Sequence, residues 1–210
     1  MITLYYMPGA CSMAVHVALL ETGKTFTLEN VAVPDGQPRS PEFLKVNPRG
    51  NVPVLDMDGL VIREGAAILT YLLETAKSPL LPASGPQRAK ALEWLCFANS
   101  SLHPAYGRLF GLNKMLGDKA ASDPIYTAGV AAAQKLWDDI EQQLSSQPYV
   151  CGSECTIADI LITVIANWTP AMKQPIRIGD KTKAMFAKVI ARPAYQEALK
   201  SEKVEYKMAA

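Results

Sequence analysis

Between Ser78 and Pro86 the chain reads Ser-Pro-Leu-Leu-Pro-Ala-Ser-Gly-Pro, and no regular element can run through it. Each proline deletes a backbone donor and fixes φ, and the residue before it is pushed out of the helical region. The segment 78–86 therefore reads as a linker that divides the 210 residues into a part at 1–77 and a part at 87–210. Nine of the fifteen prolines precede residue 87, which concentrates turns in the first part.

The first part alternates strand and helix. Ile2 to Tyr6 is short, β-branched and aromatic, as a strand requires. Pro8-Gly9-Ala10-Cys11-Ser12 is a turn, Ser12 can cap the helix Met13 to Thr22, and Gly23 closes that helix. Thr27 to Val33 alternates as a second strand. Ser40-Pro41 supplies a cap and an N1 proline for one or two helical turns. Val52 to Met57 and Leu60 to Ile62 flank Asp58-Gly59, a two-residue hairpin signal, and Glu64 to Ala76 forms a helix. The order β-α-β-α-β-β-α predicts a four-stranded mixed sheet with helices on its faces.

After the linker no segment reads as a strand. Gln87 to about Met115 has helical spacing, with Pro104 placed to kink or split it. Asp123-Pro124 opens a further helix, and Thr156-Ile157-Ala158-Asp159 matches a capping box with Asp in place of Glu. That box opens the apolar run Ile160 to Trp168, the expected central helix of a bundle, and Lys181 to Ala191 and Pro193 to Lys200 complete it. The second part is expected to be an all-α helical bundle.

Charge and composition remove several classes of function. The first part carries 6 basic and 8 acidic residues and the remainder 15 and 12, too even for a dedicated nucleic-acid binder. No apolar run approaches a membrane span, and the opening Met1-Ile2-Thr3-Leu4-Tyr5-Tyr6 lacks a secretory pattern, so a cytoplasmic protein is expected. The four cysteines, at 11, 96, 151 and 155, form no C-x-x-C, and His16 and His103 are the only histidines. Neither a metal site nor a disulfide framework is expected from that spacing.

Three segments could carry chemistry. Cys11 and Ser12 lie where a strand gives way to a helix, and exposed N–H groups there favour an anion. A thiolate is stabilised at such a place, whether it belongs to Cys11 or to a ligand; equally, Cys11 can be a small buried residue and Ser12 a plain cap. In Asn47-Pro48-Arg49-Gly50-Asn51-Val52-Pro53, a cis Val52–Pro53 bond would turn the Val52 amide and carbonyl outward to pair with a peptide-like ligand, whereas a trans proline would simply end a loop. In Glu64-Gly65-Ala66-Ala67-Ile68 a carboxylate precedes a helix N-terminus, a pair able to read an ammonium and a carboxylate together; Glu64 could also be only a solvated capping residue.

Taken together, these segments resemble those of the glutathione S-transferases, most closely the bacterial beta class. Leu4-Tyr5-Tyr6-Met7-Pro8-Gly9-Ala10-Cys11-Ser12 resembles that class's opening with its active-site cysteine, and the segment ending in Val52-Pro53 resembles the one with the family's cis-proline. Glu64-Gly65-Ala66-Ala67-Ile68 resembles the γ-glutamyl-holding segment, Glu93-Trp94-Leu95 through Leu102-His103 the helix that brings a histidine to the site, and Thr156-Ile157-Ala158-Asp159 the family's capping box. The five motifs occur in order over essentially the whole chain.

The resemblance implies a thioredoxin-like α/β domain at 1–77 that binds glutathione and an all-α domain at 87–210 that forms the electrophile pocket, usually in a homodimer. It implies that Val52 pairs with the cysteinyl backbone of glutathione, that Pro53 is cis, and that Glu64 and Gly65 hold the γ-glutamyl group. Cys11, Ser12 and His103 would surround the sulfur as catalytic residues, and Met7, Tyr106, Phe110 and Trp168 are candidate walls for a small hydrophobic electrophile. His16 is expected to be a packed or partly exposed side chain.

The chain departs from its relatives at three places. Cys96 stands where they often carry asparagine, Pro104 where they often place lysine after the histidine, and the loop near Pro34 and Asp35 lacks a lysine that some of them use. Fewer cations toward the glycine carboxylate imply weaker glutathione binding. Two other functions stay open at this point. Cys11 could act in thiol–disulfide exchange with glutathione resolving the adduct, and a non-catalytic binding protein could retain the fold.

Overall fold

The structure is a computed structural model that describes residues 1–34 and 37–208. Asp35, part of the lysine-lacking loop noted above, lies outside the described residues. The chain gathers into two compact units: Met1–Ala83 with Arg192–Glu205, and Ser84–Ala191 with the residues from Tyr206 onward. The sequence reading divides the chain once, in the linker; the structure returns a C-terminal helix to the first unit.

In the first unit the elements are β1 (Ile2–Tyr6), α1 (Ser12–Glu21), β2 (Thr27–Asn30), α2 (Pro41–Val46), β3 (Val54–Met57), β4 (Leu60–Arg63) and α3 (Gly65–Thr75). They form the mixed sheet that the element order predicts, in the order β2-β1-β3-β4. β1 pairs parallel to β2 and antiparallel to β3, which continues into β4 through the Asp58-Gly59 hairpin. β2 is shorter than the alternation suggests. Val31 donates the last backbone bond to the Tyr6 carbonyl, and the Asn30 side chain then takes the Ala32 N–H, which turns the chain away.

Alternation along β1 sorts its side chains to two faces. Leu4 and Tyr6 are buried on one, where Tyr6 approaches His16 of α1, and Tyr5 packs on the other against Phe43 of α2 at 5.5 Å between ring centroids. α1 and α3 pack together against the sheet, through Val15, Ala18 and Leu19 and through Ile68, Leu69 and Leu72.

α1 is buried on all sides from Ser12 to Leu19, and the returning helix α9 (Pro193–Glu202) accounts for its outer face. Arg192 pairs with Glu21 at one end of this contact. At the other, the Glu202 carboxylate meets His16 Nδ1 at 2.9 Å and accepts the Gly9 N–H at 2.9 Å. The His16 and Glu202 side chains are 1% and 0% exposed, so the carboxylate must be satisfied by these two partners.

The second unit holds the helical bundle. α4 (Gly85–Phe97) passes into a π-helical stretch, Ala98–Leu102, before α5 (His103–Leu116). Pro104 offers no N–H to the Ser100 carbonyl one turn back, and the His103 N–H reaches Ala98 instead, five residues earlier. The buried residues Trp94, Ala98, Leu102 and Tyr106 follow at intervals of four. On a helix of about 3.6 residues per turn such spacing drifts by roughly 40° at each step, and the widened turn absorbs the drift. The split expected at Pro104 is therefore a change of helical pitch.

The linker's last residues form the start of α4, and Asp123 caps α6 (Pro124–Gln143) by accepting from the Ile125 and Tyr126 N–H groups. The capping box holds at Thr156 and Asp159, and every residue of α7 (Ile157–Ala166) is buried, as expected of a central helix. Glu141 of α6 caps α8 (Asp180–Ile190) from outside, accepting from the Lys181 and Thr182 N–H groups and from the Thr182 hydroxyl. Burial pushes the Glu141 carboxyl up, but these hydrogen bonds and the Lys181 charge outweigh it and hold the group below its ordinary value of 4.5.

Two outcomes follow for stability. Glu202→Ala removes the acceptor of the buried His16 ring and should cost about 3 kcal/mol in urea unfolding. Glu141 has a depressed value, so its stabilisation is present above the unfolded carboxyl range and is lost as pH falls through the folded value. The stability gap between wild type and Glu141→Gln should be largest at neutral pH and shrink below about pH 4.5, followed by thermal melts across pH.

Candidate active site

The turn between β1 and α1 is built from Met7 to Ser12. Gly9 adopts φ +68°, so the turn needs glycine for its conformation; a Cβ there would make only ordinary contact with Val204. The Ala10 and Cys11 carbonyls accept from the Met13 and Ala14 N–H groups, which starts the helix one residue earlier than a Ser12 cap implies. Cys11 is thus the N-cap and Ser12 the first helical residue. Ser12 is fully buried, and its hydroxyl donates to the Met7 carbonyl and accepts the Met7 N–H, both at 3.2 Å. That hydroxyl is engaged in holding the turn.

The Cys11 thiol donates to the Val52 carbonyl at 3.5 Å, joining the first turn to the Asn47–Pro53 loop. The Val52–Pro53 bond is cis. Burial pushes the Cys11 thiol up to about 11; the Cys11 and Ser12 N–H groups pull it down, and the Glu64 carboxylate adds to the rise. The helix terminus by itself favours a Cys11 thiolate, but desolvation wins, and Cys11 is a neutral thiol near pH 7.

Glu64 sits immediately before α3 at φ 75°, ψ 116°, a left-handed conformation that an L-residue adopts at a cost of about 1 kcal/mol or more. Its side chain makes no cap to α3; it is exposed and accepts a hydrogen bond from Arg49 Nη1 at 2.8 Å. The carboxylate is thereby held outside the helix, leaving the Gly65 end of α3 uncapped by a side chain. A carboxylate beside the N-terminus of a helix can bind an ammonium and a carboxylate of one ligand at once.

The remaining candidates, apart from Met7, lie in the second unit. His103 opens α5, and its ring lies 5.1 Å from that of Trp168; Tyr106 and Phe110 face the same indole at 6.1 and 6.0 Å. Burial lowers the His103 value and keeps the imidazole neutral. Phe110 is 39% exposed, whereas Tyr106 is completely buried. The Tyr106 hydroxyl accepts from the Trp137 indole at 2.9 Å and is hydrogen-bonded to the Thr169 hydroxyl at 2.6 Å, and burial pushes it up to about 12. Phe110 therefore offers an accessible aromatic surface, while Tyr106 is part of the interior.

The structure thus groups Cys11, Ser12, Val52, Pro53, Glu64, Gly65 and Met7 in the first unit, and His103, Tyr106, Phe110 and Trp168 around one indole in the second. Sequence reasoning missed Arg49, Glu202 and Arg39, whose guanidinium donates to the Gly50 and Val31 carbonyls and the Met7 sulfur. Arg49 lay inside a recognised motif, but nothing local marked it as the partner of Glu64. Among the described residues no group of three or more His, Cys, Asp or Glu could hold a metal ion, and no helix is long and apolar enough to cross a membrane.

Comparison with known proteins shows the family. The family model for the glutathione S-transferase N-terminal domain matches residues 1–74. The chain is 31% identical to the glutathione S-transferase GstA of Escherichia coli O157:H7, over 95% of this chain and 98% of that one. Among solved structures, a ternary complex of BphK, a bacterial glutathione S-transferase, superposes with a TM-score of 0.82 at 32% identity, covering 96% of this chain and all of that one. A sphingomonad glutathione S-transferase complexed with glutathione gives 0.81 at 30% identity, covering 97% of this chain and 100% of that one. The chain belongs to the glutathione S-transferase family. It carries the family's fold, and it is a transferase.

The raised Cys11 value has a direct readout. Alkylation of Cys11 by iodoacetamide should be at least about a hundredfold slower at pH 7 than that of an ordinary thiol near 8.5, and should climb through pH 9 to 11. A plateau reached below pH 8 on the Cys11 peptide, followed by mass spectrometry, would contradict the burial argument.

Proposed function

We propose that the protein is a beta-class glutathione transferase that joins the sulfur of glutathione to small hydrophobic electrophiles, as a cytoplasmic homodimer serving detoxification. The observation that carries this reading is the convergence on Cys11 of the α1 N-terminus, the Val52 carbonyl at 3.5 Å and the field of Glu64. Glutathione is a peptide with a carboxylate and an ammonium at its γ-glutamyl end. Val52 pairs with its cysteinyl backbone, and Glu64 and Gly65 hold its γ-glutamyl group, with Arg49 fixing the Glu64 carboxylate. The full-length likeness to glutathione transferases, one of them complexed with glutathione, supports the same ligand.

The sulfur of bound glutathione then lies at the positive end of α1. N–H groups aimed at a developing thiolate favour its ionisation and require no rearrangement during the reaction. The thiolate attacks the electrophilic carbon, the carbon–sulfur bond forms as a halide leaves with its electron pair, and the thiol proton passes to water. Within the second unit, Phe110 is exposed beside Trp168 and the uncharged His103, an aromatic surface of the kind that binds small hydrophobic electrophiles. A neutral, half-buried Cys11 is a poor nucleophile, which favours conjugation by the ligand's own sulfur over thiol–disulfide exchange through Cys11.

Steady-state conjugation of glutathione to an activated aryl chloride tests this. Wild type should turn over, Cys11→Ala should retain its kcat within about fivefold, and Glu64→Gln should raise the glutathione KM by about tenfold with little change in kcat. An inactive wild type would overturn the transferase reading. Loss of all activity in a folded Cys11→Ala would instead make Cys11 the reacting group.

A further inference from the structure

Arg39 lies in the segment before α2, outside every motif that the sequence singles out. Its guanidinium nevertheless reaches three separate stretches of the first unit. Nε donates to the Gly50 carbonyl at 3.1 Å, Nη1 to the Val31 carbonyl at 2.7 Å, and Nη2 to the Met7 sulfur. Met7 begins the turn that carries Cys11, Val31 follows β2, and Gly50 belongs to the loop that carries Val52. The stem lies along the Gly50 backbone. Gly50 has φ +68°, and a Cβ at that position would lie 3.4 Å from the Arg39 Cγ, so the side chain packs against bare backbone.

We propose that Arg39 is a positioning residue of the glutathione site, holding the Met7–Cys11 turn and the Gly50–Val52 backbone at the spacing that peptide pairing requires. The inference rests on the function proposed above. Three donors leave one rigid plane in three directions, and each meets an acceptor on a different loop. A lysine ammonium carries the same charge on a flexible stem and cannot reproduce that fork. Charge alone therefore does not define the role. Geometry does, and loosening it should affect ligand binding before it affects the chemical step.

The test compares wild type with Arg39→Lys in the full-length protein, by circular dichroism, glutathione kinetics with an activated aryl chloride, and alkylation of the Cys11 peptide at pH 9. Arg39→Lys should fold, raise the glutathione KM by about tenfold, keep kcat within about twofold, and speed Cys11 alkylation by about fivefold as the turn separates from Val52. A merely structural residue would reduce the active fraction and hence apparent kcat, and leave KM in place. A folded Arg39→Lys with unchanged KM and unchanged Cys11 alkylation overturns the proposal. Should that variant fail to fold, Met7→Leu removes one of the three acceptors and should shift KM and alkylation in the same directions by about two- to threefold; no shift in either overturns the proposal. If wild type does not conjugate glutathione, the transferase reading fails by itself, and the alkylation rates still decide whether Arg39 holds Cys11 against Val52.

Discussion

A carboxylate withdrawn entirely from water must find donors or distort its surroundings, and Glu202 finds them in the first turn of the chain. Its two oxygens take the Gly9 N–H and the His16 ring, residues on either side of Cys11. The turn from Met7 to Ser12 is thus fixed from outside by α9 and from inside by the Ser12 hydroxyl. The rest of the site is referred to that turn. Val52 meets it through Cys11, and Gly50 and Val31 meet it through Arg39 and Met7.

The electrostatics of Cys11 decide between two effects that act at the same atom. The N–H groups at the start of α1 favour negative charge, and removal from solvent opposes it. For the half-buried Cys11 the second is larger. A sulfur brought in by a ligand meets the same N–H groups without being the protein's own desolvated thiol, so one helix terminus can leave its cysteine protonated and still serve an incoming thiol. Glu64 shows a related division of labour. Its left-handed backbone and its bond to Arg49 keep its charge off the α3 N-terminus, so both remain available to a zwitterionic end group.

What was legible in the sequence was local. The cap at Ser40, the Asp58-Gly59 hairpin and the Thr156/Asp159 box each depend on residues a few positions apart, and each appears where the pattern puts it. Pro104 was legible as an interruption but not as a π-helical one, because the widened turn also answers the four-residue spacing of distant core contacts. Glu202, Arg39 and Glu141 were not legible. A buried carboxylate or a half-buried arginine looks like any surface charge until the chain folds back on itself. His16 reads as an ordinary packed ring for the same reason: its partner is 186 residues away.

That separation in sequence has a consequence in time. Gly9 and Glu202 lie 193 residues apart, so the turn leaves the ribosome long before the carboxylate that completes it is synthesised. At about 5–20 residues per second the gap is roughly 10–40 s. During that interval the sheet and α1 can form, but α1 is without the helix that covers its outer face, and that apolar face stays exposed. The turn that carries Cys11 is therefore among the first parts of the molecule to be made, yet it is completed only when α9 has emerged.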